Sequence, residues 1–196
     1  MRNSTASLAV KPFYCLYKGI FMSEYLNIGL PPKITINKKY DSIEIIRQWF
    51  SYQFLIFAGF SVLWCYQVVI NNMVGGEIAP ISIIFLLPGV GIAYYALLGF
   101  VNKTYIYVSK TDLKVSHKPL PWIGGSVIQA SDIKQLYGRE KYQNDTKTYE
   151  VHVITHSGED TKLLSGLDSS EQALYIEQEI EKYLSIKNVP VRGELG

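Results

Sequence analysis

The stretch from Trp49 to Val101, WFSYQFLIFAGFSVLWCYQVVINNMVGGEIAPISIIFLLPGVGIAYYALLGFV, decides the fold of this chain. It holds two apolar runs, 49–70 and 79–101, and neither contains Asp, Glu, Lys or Arg. A helix of about 20 residues is long enough to cross the hydrocarbon core of a bilayer. The pattern therefore predicts a transmembrane helical hairpin over 48–102. The alternative is a helical hairpin buried in a soluble core, which the length and the missing charges disfavour.

Small residues are placed where the two predicted helices would meet. Gly89, Ala93 and Ala96 form a ridge on the second helix, and such residues let helix backbones approach closely in membranes. The matching positions on the first helix are Ala58, Ser61 and Cys65. Pro88 predicts a kink in the second helix, because proline removes a backbone hydrogen bond.

Basic residues flank the hairpin on both sides and are missing from its turn. They are Lys33, Lys38, Lys39 and Arg47 before it, and Lys103 and Lys110 after it. By the positive-inside rule both termini are cytoplasmic, and the turn at Gly75-Gly76 faces outward. The sequence does not distinguish a plasma membrane from a thylakoid membrane.

The remainder of the 196 residues suits one small domain. The net charge of +2 does not favour nucleic acid as a partner. Cys15 and Cys65 give neither a disulfide framework nor a metal motif. Residues 1–30 are weakly patterned and are expected to be a disordered extension, with Met22 as an alternative start.

Short strands are predicted on both sides of the hairpin. Two of them lie in 33–47 and about five follow in 103–167, including one long or bulged strand over 127–142. A C-terminal amphipathic helix closes the chain. Seven antiparallel strands and a terminal helix predict an α+β fold, a pleckstrin-homology-like (PH-like) barrel built from 33–47 plus 103–187. In that fold the hairpin is an insertion, so Ile34–Arg47 should pair with strands that follow Val101.

The terminal helix has a capping signal at its start. Asp168 is the expected N-cap, with Glu171 at the capping-box spacing. The expected buried face consists of Ala173, Ile176, Ile180, Tyr183 and Leu184. Glu177 and Glu181 are expected on the solvent side, and the tail 191–196 is expected to be loose.

Several short stretches carry a resemblance to a known group of proteins. They are Arg47-Gln48-Trp49-Phe50, the run from Tyr94 to Asn102, Pro119-Leu120-Pro121-Trp122, the run from Ser131 to Tyr137, and Leu163-Leu164-Ser165-Gly166-Leu167. From Pro32 to Glu194 the chain resembles uncharacterised bacterial, largely cyanobacterial, membrane proteins with two spans and a PH-like cytoplasmic part. The resemblance implies a fold and a membrane location. It implies no activity, so no catalytic residue is transferred.

The candidate chemistry is sparse. His152 and His156 would lie about 13 Å apart on a strand, too far for one metal ion, so a solvated strand face is expected. His117 shares strand parity with Leu113 and Val115, which predicts a partly buried, hydrogen-bonded histidine. No nucleophile elbow is present. We therefore expect no enzyme activity, no cofactor and no metal site.

Pro119, Pro121 and Trp122 form the most distinctive loop. It is expected to rest on the membrane interface, to bind a partner, or to close one end of the barrel with Trp122. These observations lead to two functional hypotheses. The first is a binding or adaptor module held against the bilayer, which binds a protein or a lipid or forms a homo-oligomer. The second is an accessory subunit or assembly factor of a larger membrane complex, with the hairpin as its contact surface.

Overall fold

The chain forms eight strands and three α-helices over the residues that the computed structural model describes, 28–74, 80–143 and 146–195. The elements before and within the hairpin are β1 (Ile34–Lys38), β2 (Ser42–Gln48), α1 (Gln53–Val74) and α2 (Pro80–Val101). Those that follow are β3 (Lys103–Ser109), β4 (Asp112–Lys118), β5 (Ser126–Gln129), β6 (Ile133–Gln143), β7 (Thr146–Thr155), β8 (Asp160–Leu167) and α3 (Ser170–Leu184). The expected extension over residues 1–30 lies largely outside the described residues, as does the turn at Gly75-Gly76.

The strands on the two sides of the hairpin pair with each other. The first sheet has the order β1-β2-β3-β4-β5, and all its neighbours are antiparallel. The β2–β3 pairing runs from Ser42 opposite Ser109 to Gln48 opposite Lys103. This confirms the pairing predicted across Val101 for β2, whereas β1 lies at the sheet edge and pairs with β2. The hairpin leaves and re-enters the sheet between two neighbouring strands.

The second sheet contains β6, β7 and β8 in that order. The single strand predicted over 127–142 is wrong, because a 3₁₀ turn at Ala130–Asp132 separates β5 from β6. The amide of Ala130 donates to the carbonyl of Thr111, and the amide of His156 donates to that of Asp132, both at 2.9 Å. These bonds hold the turn between the sheets. The described residues thus form two antiparallel sheets with eight strands, where one barrel or sheet of about seven strands was expected.

The core lies between the two sheets and α3. Ile45 and Ile106 of the first sheet, Leu136 and Val153 of the second, and Ile176 of α3 are all fully buried. Burying an aliphatic side chain of this size stabilises a fold by about 1.5–3 kcal/mol. Alternation along each strand supplies these residues, since successive side chains point to opposite faces.

Two expectations about α3 are wrong. The N-cap is Ser169, whose side chain accepts a hydrogen bond from the amide of Gln172, whereas Asp168 pairs with Lys33. Glu177 and Glu181 are buried, with exposed fractions of 1% and 0%. Both follow Ala173 at multiples of four residues, so they share its side of the helix and turn toward the core.

The C-terminal tail is ordered against the second sheet. The amide of Leu195 donates to the carbonyl of Gly138 at 2.9 Å, and Glu194 forms a bridge with Arg139. The prediction of a loose tail is therefore wrong for 191–195. The tail covers the free edge of β6, since this strand is the last in its sheet.

The hairpin helices expose most of their apolar surface. Gln53–Asn72 and Ile83–Val101 are long and apolar enough to cross a membrane, and only 6% and 22% of these segments is buried. A hairpin inside a soluble core would bury most of its side chains. The two helices instead present largely exposed apolar side chains.

Candidate functional site

A cleft opens between the two sheets at the foot of the hairpin. Its volume is about 740 Å³, and residues from both sheets and from the start of α1 line it. The first sheet contributes the ends of β2, β3 and β4, and the second contributes the start of β7 and most of β8. The loop between β4 and β5 forms one wall. The cleft therefore lies where the chain enters and leaves the hairpin.

Three inward-facing rows cross the first sheet toward this cleft. The first two rows are apolar: Ile43, Val108 and Leu113, then Ile45, Ile106 and Val115. The third row, nearest the hairpin, is polar and consists of Arg47, Thr104 and His117. Each member of the polar row lies an even number of residues from the apolar residues of its own strand, so it points to the same face of the sheet. Polar residues at positions that continue an apolar core depart from the usual pattern of a sheet, and such departures are expected at functional sites.

Arg47 is the most buried cation of the cleft, with an exposed fraction of 9%. Its Nη2 donates to the carbonyl of Gly166 and to Asp168, the latter at 3.5 Å. Its Nε has no hydrogen-bond partner among the described residues. Burial lowers the pKa of Arg47, and Asp168 opposes that shift. The guanidinium is thus only partly compensated by the protein around it.

Thr104 and His117 are held in a fixed arrangement. The indole of Trp49 donates to Oγ1 of Thr104 at 2.7 Å, and this oxygen lies 3.0 Å from Nδ1 of His117. The backbone of Gly124 binds the same imidazole. Burial nevertheless lowers the pKa of His117, and the charge of Arg47 adds to that effect. The half-buried position and these hydrogen bonds agree with the sequence-based prediction for His117.

The cleft has an excess of positive charge. Lys147 and Lys162 line it together with Arg47, against the single carboxylate of Asp168. Lys147 is exposed and pairs with Glu140 at 2.8 Å. Asp168 is shared between Arg47 and Lys33, so it neutralises neither of them fully. The lining therefore favours an anionic ligand.

The predicted loop residues Pro119, Pro121 and Trp122 join the β domain to the hairpin. Tyr94 of α2 donates from its hydroxyl to the carbonyl of Pro121 at 3.0 Å. The Trp122 ring lies 6.1 Å from the ring of Trp49 and 6.2 Å from that of Tyr95. Trp122 remains 42% exposed. Its ring lies between Trp49, which follows β2, and Tyr95 of α2.

Asn102 anchors the same loop. Its side-chain amide donates to the carbonyl of Leu120 at 2.9 Å, and its carbonyl oxygen accepts the amide of Leu120 at 2.8 Å. Asn102 is only 2% exposed. The Asn102 side chain thus both donates to and accepts from the backbone of Leu120, as a neighbouring strand would. This pair of bonds fixes the loop relative to the end of α2.

The predicted packing residues on α2 divide into two groups. Gly89 and Ala96 are buried, and a Cβ at Gly89 would lie 2.7 Å from Sγ of Cys65. Ala93 instead is exposed. Trp64 donates from its indole to the carbonyl of Phe85 at 2.8 Å. The helices therefore meet at Gly89, and the Trp64 indole adds a polar contact between them at Phe85.

A second polar cluster lies on the outer face of the second sheet. His152 is buried, with Nδ1 2.9 Å from Asp160 and Nε2 3.3 Å from Glu150. The expectation of a solvated strand face is therefore wrong for His152. Tyr137 donates to Asp160 at 2.7 Å, and burial together with Asp160 raises the pKa of Tyr137 to about 12. Every group here is occupied by a neighbour, and the described residues hold no cluster suited to a metal ion.

The sequence contained a signal for the cleft that its interpretation missed. Arg47 was counted as a basic flank of the hairpin, although it shares the parity of Ile43 and Ile45. Lys147 and Lys162 come from the second sheet and Asp168 follows its last strand, and only the packing of the two sheets brings them to Arg47. Comparison of the chain with models of known protein families gives no match, and comparison with curated proteins gives none either. Function is therefore inferred from geometry.

Proposed function

We propose that this chain is an integral membrane protein whose hairpin spans the bilayer and whose β domain is a binding module at the cytoplasmic face. The exposed apolar surface of both spans supports the membrane placement, because such a surface is costly in water. Basic residues on both flanks of the hairpin support the cytoplasmic orientation. The strand order and the terminal helix support a PH-like arrangement that is opened into two sheets.

The observation that carries this function is the polar row at the foot of the hairpin. Arg47, Thr104 and His117 occupy positions that continue an apolar core, and they border a cleft of about 740 Å³. A buried arginine without full compensation is costly for folding alone. A ligand that binds in the cleft would supply the compensation that Arg47 lacks. Binding suits the site better than catalysis, because Thr104 and Gly124 hold the imidazole of His117.

Site-directed photocrosslinking in native membranes tests this function. A photoreactive phenylalanine analogue replaces Ile123, which lines the cleft and is 86% exposed. The matched control carries the same analogue at Tyr40, which is 98% exposed in the β1–β2 turn. We expect adducts from position 123 that are missing from position 40. Equal adducts at both positions, or none at position 123, would contradict a binding site in the cleft.

A second function is favoured by the outward position of Ala93. A small residue on an exposed helix face permits close packing of another membrane helix. Under this hypothesis the protein is an accessory subunit or assembly factor, and Ala93→Leu disrupts its assembly while leaving the hairpin folded. Under the binding-module function, Ala93→Leu leaves the cleft adducts unchanged. Native gel electrophoresis of solubilised membranes separates the two.

A further inference from the structure

We propose that the cleft binds the phosphate-bearing headgroup of an anionic membrane lipid. This inference rests on the proposed function, since it requires the hairpin to hold the cleft at the level of the headgroups. It adds the chemical class of the ligand. Three cations line the cleft, Arg47, Lys147 and Lys162, and their charges would attract the phosphate.

The guanidinium of Arg47 is prepared for an oxygen anion. Both of its described hydrogen bonds come from Nη2, one to the carbonyl of Gly166 and a long one to Asp168. Nε lacks a partner among the described residues. Arginine matches phosphate geometry because its planar fork donates to two oxygens at once. Because the unpartnered Nε is itself shielded from solvent, a phosphate in the cleft would bind through the terminal nitrogens of the guanidinium.

The lysines enlarge the positive field around this group. Lys162 is exposed and lines the cleft from β8, while Lys147 lines it from β7. Lys147 is exposed but pairs with the half-buried carboxylate of Glu140 at 2.8 Å, which offsets part of its charge. A lysine near a membrane surface strengthens binding to anionic lipids about fivefold. Both lysines together therefore account for about a 25-fold preference.

The walls of the cleft favour a lipid over a free anion. Phe54, at the start of α1, lines the cleft, so the site is continuous with the apolar surface of the hairpin. Trp122 and Ile123 also line the cleft, with exposed fractions of 42% and 86%. Exposed aromatic and aliphatic side chains next to cations suit an amphiphile. The headgroup would enter between the sheets while the acyl chains remain beside α1.

Lipid titration of the full-length chain in non-ionic detergent tests the proposal. The probes are dioctanoyl phosphatidic acid, dioctanoyl phosphatidylglycerol, dioctanoyl phosphatidylcholine and inorganic phosphate, with affinity measured by calorimetry. We expect both anionic lipids to bind at least about tenfold more tightly than phosphatidylcholine and than inorganic phosphate. The double variant Lys147→Gln/Lys162→Gln should bind the anionic lipids about 25-fold more weakly.

The matched control is Lys110→Gln/Lys187→Gln, which removes the same charge from exposed lysines that do not line the cleft. Its affinity should stay within about twofold of the parent chain. Equal binding of phosphatidylcholine, or equal loss in both double variants, would overturn the proposal. Inorganic phosphate that binds as tightly as the lipids would make this a free-anion site and overturn the lipid source. Protein adducts at position 123 without lipid binding would overturn the lipid inference alone. If neither adducts nor lipid binding were found, the proposed binding module would also be rejected.

Discussion

Ile45, in the strand before the hairpin, lies directly opposite Ile106, in the strand after it, and both side chains are fully buried. The core of the β domain is thus completed only when the chain returns from the hairpin. Loop-closure entropy grows slowly with loop length, so a long insertion between paired strands is tolerated. A hairpin that returns the chain to its starting side reduces that cost further.

Truncating this pair should destabilise the whole β domain. Ile106→Ala removes a fully buried side chain and leaves a cavity, which should lower the free energy of unfolding by about 2–5 kcal/mol. Ile123→Ala is the control, because Ile123 is 86% exposed. Pulse proteolysis of the β domain in membranes measures the difference. Equal resistance of the two variants would show that the two strands do not share one core.

The hairpin should depend on Gly89 and tolerate a change at Gly91. A side chain at Gly89 would press on Sγ of Cys65 and on the ring of Trp64, at 2.7 and 2.8 Å. At Gly91 an added Cβ has nothing within 4 Å. We therefore expect Gly89→Leu to lower the melting temperature of the detergent-solubilised protein, measured by size-exclusion chromatography after heating. Gly91→Leu should leave it nearly unchanged, and equal losses would contradict the described helix contact.

Stability should fall as the pH rises through neutrality. Burial raises the pKa of Glu177 to about 8 and that of Glu181 to about 7, and in Glu177 the charge of Glu181 adds to the effect. Between pH 5 and 8, the folded state then binds more protons than the unfolded state, so stability decreases with pH. The loss should be on the order of a few kcal/mol.

Neutral variants test the source of this pH dependence. Glu177→Gln and Glu181→Gln should flatten the curve of unfolding free energy against pH, whereas Glu159→Gln, at an exposed turn, should not. The carboxylate of Glu194 lies close to both groups and is kept in all variants. A parent chain whose stability rises from pH 5 to 8 would contradict the buried placement of these two residues.

Removing the Asn102 side chain should loosen the joint between the hairpin and the β domain. Asn102→Ala deletes a bond in each direction to Leu120 and leaves buried groups unpaired, at a cost of about 1–3 kcal/mol. Hydrogen exchange at Leu120 should become faster. Tyr94→Phe is the comparison, because it deletes one exposed bond to Pro121 and should have a smaller effect. A larger effect of Tyr94→Phe would contradict the role assigned to Asn102.

The parts of the fold that the sequence predicts are those with local, repeated signals. Uninterrupted apolar runs predicted both hairpin helices, and alternation predicted most strands. The number of strands on the two sides of the hairpin predicted the pairing across it. The split at Ala130–Asp132 was missed, because the turn depends on Thr111 and His156 from other elements. The composition of residues 127–142 is typical of a strand and does not indicate these hydrogen bonds to distant residues.

The candidate site was harder to predict because burial was inferred from charge. Glu177 and Glu181 were placed outside as carboxylates, although their spacing puts them beside Ala173. Arg47 was likewise counted as a basic flank of the hairpin because it is charged, although its two-residue spacing from Ile45 and four-residue spacing from Ile43 put it on their buried face. In each case the spacing was the better guide than the residue type. The contributions of β7 and β8 to the cleft depend on the packing of two sheets, which no local pattern encodes.

The most direct test of the central claim, that the helical hairpin is inserted between two paired strands of one domain, is crosslinking across those strands. In isolated membranes, with Cys15 and Cys65 replaced by Ser, Glu44→Cys/Tyr107→Cys places two thiols at directly opposite positions on the outer face of β2 and β3. Opposite Cβ atoms lie about 4.5–5.5 Å apart. A short bifunctional thiol reagent should join this pair within the chain faster than it joins Glu44→Cys/Lys103→Cys, which is four residues out of register. Equal rates for the two pairs, or no intramolecular product, would contradict the claim.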